Sequence, residues 1–87
     1  MLVASLAILS LCSCADSNWT AIVYPDRSDL SEHEIVGVFS ELDGCRDAAL
    51  SRLRELGPLS AGDYECGLNC EFREGWGDTL ICETTRQ

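Results

Sequence analysis

The side chains best placed to do chemistry are sulfurs. Cys45, Cys66, Cys70 and Cys82 lie in the polar part of the chain, and Cys12 and Cys14 lie in the apolar stretch that opens it. A zinc site would need thiolates converging on one ion, normally with a close C-x2-C pair. A redox dithiol normally uses the same C-x2-C spacing with a lowered thiol pKa. Cys66 and Cys70 are instead spaced C-x3-C, which fits neither. Structural disulfides need only an even number of cysteines and an oxidising compartment. Disulfides are therefore the expected use of Cys45, Cys66, Cys70 and Cys82, with no metal and no cofactor.

The other reactive types are sparse. His33 is the only histidine, flanked by Glu32 and Glu34. It has the chemistry of a general base or metal ligand, but one imidazole between two loop carboxylates reads as a solvated turn. Asp26, Asp29, Glu32 and Glu34 form an acidic run without the D-x-D-x-D-G pattern of a calcium loop. Cys45 beside Arg46 could be an activated thiol at a helix start; its place on an apolar stripe favours a disulfide. No nucleophile elbow, H-E-x-x-H or phosphate-cradling glycine loop occurs. No residue is assigned a catalytic role. Trp76, between Gly75 and Gly77, could anchor a partner or fold back over a sheet.

These residues need elements to hold them. Residues 19–24 (WTAIVY) are aromatic and β-branched and predict a strand ended by Pro25. Residues 25–33 are polar and read as a loop. Residues 34–39 (EIVGVF) predict a second strand, with Gly37 marking a bulge or a close approach. Ser40 predicts a helix cap with Asp43 completing a capping box. Leu42, Cys45, Ala49, Leu53 and Leu56 then recur on one helical face, and Gly57-Pro58 stops the helix. Residues 63–72 and 79–84 flank a glycine-marked turn and predict a second hairpin. The expected fold is α+β, in the order ββαββ, with about four antiparallel strands and one helix on one face.

Four cysteines allow three pairings. A hairpin turning about Trp76 sets Cys70 and Cys82 opposite each other, at the cross-strand spacing a disulfide can close. Cys45 and Cys66 then tie helix to sheet. The competing arrangement is Cys66–Cys70 with Cys45–Cys82.

The opening MLVASLAILSLCSCA is uncharged and too short to span a bilayer. It reads as a signal peptide over residues 1–15, although no Lys or Arg precedes its apolar core. A cut after Ala15 is one expectation. The other starts from Leu11-Cys12-Ser13-Cys14, which resembles a bacterial lipobox and would make Cys14 the lipidated first residue. Either way residues 16–87 form one domain with an even set of cysteines. A domain of that size gains only ~3–5 kcal/mol from its core alone, so covalent staples are expected.

Six Arg and no Lys stand against fifteen acidic residues, and the net charge of -9 falls wholly at or after Asp16. Such a surface repels phosphate backbones and anionic headgroups. Nucleic acid is an unsuitable partner, a membrane is reached only through an N-terminal lipid, and a basic protein is the complementary one. The same charge also keeps a small exported protein soluble.

Phe39-Ser-Glu-Leu-Asp-Gly-Cys45-Arg46 and Tyr64-Glu-Cys66-Gly-Leu-Asn-Cys70 resemble the F-S-x-L-x-x-C-R and Y-x-C-G-x-N-C segments of a group of small exported bacterial proteins of uncharacterised role. The resemblance covers most of the mature domain. It implies export and disulfide bonding, and brings no activity or partner with it. The functional expectation is a non-enzymatic binding domain of the periplasm or envelope, for instance an inhibitor of a basic envelope or host protein. The alternative is a lipid-anchored structural component without a discrete ligand.

Overall fold

A computed structural model describes residues 17–72 and 80–87 of the chain. The elements in order are β1 (Trp19–Tyr24), β2 (Glu34–Phe39), α1 (Leu42–Leu56), a 3-10 turn (Leu59–Ala61), β3 (Asp63–Leu68), β4 (Glu71–Phe72), β5 (Leu80–Ile81) and β6 (Thr84–Arg86). One four-stranded antiparallel sheet has the order β2-β1-β3-β6, and β4 and β5 form a two-stranded sheet of their own. The expected α+β fold, with one helix against a four-stranded sheet, is the one observed.

Strand parity divides the sheet into two faces. Ala21 and Val23 of β1 lie on one face and meet Cys45, Ala49 and Leu53 of α1, with Cys66 of β3 completing the cluster. Trp19, Val36, Phe39, Leu42 and Tyr64 pack around it. Ala49 gives the helix no side chain beyond Cβ, so α1 can lie close to the sheet. The core is small: among the described residues the largest fully buried side chains are Val23, Cys45 and Cys66. Two of those three are halves of one disulfide, so covalent bonding stands where a larger domain would have more hydrocarbon.

The helix begins later than its sequence predicts. Glu41, not Ser40, is the N-cap residue, in extended backbone and without a side-chain cap. The first turn closes from Cys45 N–H to the Glu41 carbonyl at 3.2 Å. Asp43 does not reach back to complete a capping box; its carboxylate accepts a hydrogen bond from Arg46 at 3.2 Å. The other end follows the expected pattern. Gly57 takes φ 153°, ψ -158°, a conformation essentially confined to glycine, and donates to the Leu53 carbonyl at 3.1 Å. Leu56, the last helical residue, is exposed rather than part of the predicted apolar face.

The second hairpin is interrupted where two continuous strands were predicted. Asn69 adopts φ 49° and ends β3, a turn that Asn tolerates better than most residues. Its N–H donates to the Asn18 carbonyl at 2.8 Å, and its side-chain oxygen accepts from Asn18 N–H at 3.1 Å. Its amide nitrogen donates to Glu83 at 3.2 Å. The break does not shift the register: Leu68 pairs with Thr84 in the large sheet and Glu71 with Ile81 in the small one. The same register sets Cys70 opposite Cys82.

Candidate functional site

The four cysteines form the two bridges that hairpin geometry predicts, Cys45–Cys66 and Cys70–Cys82, with Cα separations of 6.1 and 4.0 Å. They lie on opposite faces of β3. Cys66 pairs with Ala21 on the helix side, and its bridge is wholly buried. Gly67 pairs with Thr20 on the other side, where a Cβ would run into Cys70 Sγ and come within 2.5 Å of Cys82 Sγ. Gly67 therefore has no side chain because the outer bridge lies in that space. Neither pair presents a free thiol, and their partners exclude zinc ligation while the bridges are closed. Disulfides of this kind belong to an oxidising, export-type environment.

The acidic loop is internally used. Asp26 accepts from the Ser28 N–H at 2.9 Å and from its hydroxyl at 2.6 Å, and Asp29 does the same for Ser31 at 3.2 and 2.5 Å. The Ser28 hydroxyl bond, then the backbone bond, holds the Asp26 carboxyl below the ordinary carboxylate range. Arg27 fastens the loop to the neighbouring segment that leads into β3, donating from its guanidinium to the Gly62 carbonyl at 3.1 and 3.3 Å. Glu34 leaves the acidic run altogether: Arg52 of α1 grips both its oxygens at 2.6 and 3.2 Å and also reaches Glu55 at 3.0 Å. That grip lowers the Glu34 pKa. Among the described residues no group of three or more His, Cys, Asp or Glu side chains is arranged to hold a metal ion.

His33 is exposed and meets the Tyr24 ring edge-on at 6.4 Å between centroids. Tyr24 donates its hydroxyl to Glu65 at 2.6 Å. Burial first, and that bond second, push the phenol well above its ordinary range. Trp19 packs against the core. Trp76, Cys12, Cys14 and the rest of the expected leader, residues 1–15, lie outside the described residues.

What remains is the sheet face turned away from α1. Thr20, Ile22 and Tyr24 of β1 point to it, with Val38 and Ile35 of β2 opposite Thr20 and Ile22, and Glu65 of β3 on the other side of Ile22. Ile22 is nearly covered at 6% exposure, whereas Ile35 and Val38 stand 41% and 59% exposed. Parity in a regular strand would put residues 35 and 38 on opposite faces. The register shift between Ala21 and Ile22 inserts Val36 as a bulge and brings both to the open face. Gly37 lies beside that bulge, with the Phe39 ring over it on the helix side; a Cβ there would meet the ring at 3.2 Å. This apolar strip, bounded by the Tyr24–Glu65 bond and by the outer bridge over Gly67, was not foreseen from sequence; Gly37 was its only local sign.

The chain matches no protein-family model, no curated protein and no solved structure. No helix among the described residues is long and apolar enough to cross a membrane.

Proposed function

We propose that the chain is a non-enzymatic, exported binding domain whose partner is a basic protein. The observation that carries this reading is the β2 margin of the sheet face turned away from α1, where Ile35 and Val38 stand exposed while Thr20 and Ile22 of β1 beside them are buried, on a domain of net charge -9. An exposed apolar strip within an acidic surface suits a partner with a complementary apolar spot in a cationic surround. Charge steers the encounter, and the apolar contact holds the complex. Within this reading the leader delivers the chain to a bacterial periplasm or envelope, either freed by a cut after Ala15 or acylated at Cys14. A basic envelope or host hydrolase is the kind of protein such a domain would inhibit.

The test is calorimetric titration of the oxidised domain against a panel of basic proteins, a c-type lysozyme among them, at two salt concentrations. Saturable binding to a panel member, weakened by salt and by Ile35→Ser/Val38→Ser, is the expected result. Absence of binding across the panel, or binding indifferent to the double substitution, contradicts the proposal.

A further inference from the structure

The two edges of the sheet are unlike. The β6 edge is three residues long, polar, exposed and ends in Arg86, which is how natural sheets discourage pairing. The β2 edge is six residues long, reads EIVGVF, and contains no Pro, Lys or Arg. Its one charged residue, Glu34, is neutralised by Arg52 from the helix. Among the described residues no strand pairs with its outer side, and an edge of this kind with outward apolar side chains is a template for one more strand.

Charge decides between the two possible sources of that strand. A second copy pairing antiparallel across a two-fold axis, in the register that matches Ile35 with Val38, would set Glu32 opposite Glu41 at both ends of the ladder. Both residues are exposed, and like charges directly opposed destabilise a strand pair. Two copies would also join domains of net charge -9 each. A foreign strand with apolar residues at its centre and basic residues at its ends reverses every one of these terms.

Resting on the binding reading above, we propose that β2 is the docking edge, and that it recruits an extended, basic-ended segment of the partner as a fifth strand of the sheet. Backbone hydrogen bonds along β2 supply the pairing. Ile35 and Val38 meet the apolar centre of the incoming segment, and Glu32 and Glu41 receive its basic ends.

The probe is a nine-residue synthetic peptide of alternating Val and Thr with Arg at both ends, titrated into the full oxidised domain. Two further peptides carry N-methyl groups on one or the other alternate set of amides, and a fourth has Glu at its ends. We expect the parent peptide to bind, one methylated set to bind at least tenfold more weakly, the other set to bind like the parent, and the Glu-ended peptide not to bind. Val38→Lys, at an exposed position, should abolish peptide binding while its melting curve stays within a few degrees of wild type. Glu32→Lys/Glu41→Lys should exchange the preference towards the Glu-ended peptide. Equal binding by both methylated peptides, or no effect of Val38→Lys, overturns strand addition. A concentration-dependent dimer dissolved by Val38→Lys overturns it in favour of self-pairing. A basic protein that binds the open face while no peptide does sinks the docking edge and leaves the binding reading standing.

Discussion

Removing the inner bridge is the sharpest test of how this domain stays folded. Cys45→Ala/Cys66→Ala opens a closure spanning 21 residues of sequence, and the chain-entropy relation assigns that closure about 3.3 kcal/mol. Both sulfurs are fully buried at the meeting point of α1, β1 and β3, so truncation also leaves a gap that adds to the loss. A core of this size contributes only ~3–5 kcal/mol by itself. The variant should therefore sit near the edge of stability, its melting temperature lower by roughly 15–25 °C for a domain of this length. The assay is thermal unfolding by circular dichroism at neutral pH without reductant, so that Cys70–Cys82 stays closed. The outer pair closes 12 residues and should cost less on removal, about 2.8 kcal/mol from chain entropy alone. A fall of less than about 5 °C for the inner variant, or a larger fall for the outer one, would refute the assignment of the core to the Cys45–Cys66 bridge.

Three further outcomes follow from local geometry. Gly67→Ala should destabilise the oxidised domain by ~1–3 kcal/mol through overpacking against the outer bridge, and much of that loss should vanish in a Cys70→Ala/Cys82→Ala background; urea melts of the four proteins give the coupling. Gly57→Ala meets no neighbouring atom, yet φ 153° should still cost ~1–3 kcal/mol, measurable by the same melts. Glu34 has a pKa below its unfolded value because Arg52 bonds it. Its stabilisation is complete above the ordinary carboxylate range and is lost as pH falls through the lowered value. Glu34→Gln should therefore lie slightly below wild type in stability at neutral pH and converge with it in acid; a gap that widened towards low pH would be the wrong sign.

Much of the architecture is readable locally. Residues 19–24 and 34–39 carry strand composition, the α1 stripe repeats at helical spacing, and Gly57-Pro58 stops it where expected. The disulfide pairing is readable for a different reason: a hairpin register is a single number, and a turn about Trp76 makes Cys70 and Cys82 opposite. Features that depend on a distant partner are not readable. Asn69 ends β3 in a turn that exchanges two hydrogen bonds with Asn18, 51 residues away: it donates its N–H to the Asn18 carbonyl and accepts the Asn18 N–H on its side-chain oxygen. Asp43 cannot complete the capping box because the cap falls on Glu41 rather than Ser40, which makes Asp43 the second helical residue instead of the third. The open face is hidden for a related cause: the bulge at Val36 reverses strand parity, so alternation in EIVGVF assigns Ile35 and Val38 to different faces when they share one. Strand order, and with it the identity of β2 as an edge, comes only from the tertiary structure.

The most direct measurement is peptide mapping by mass spectrometry of the protein recovered from its native host without reductant. Cross-linked peptides joining Cys45 to Cys66 and Cys70 to Cys82, from a chain that has lost its apolar leader, are the predicted result. A folded product carrying four free thiols and its initiator methionine would contradict it.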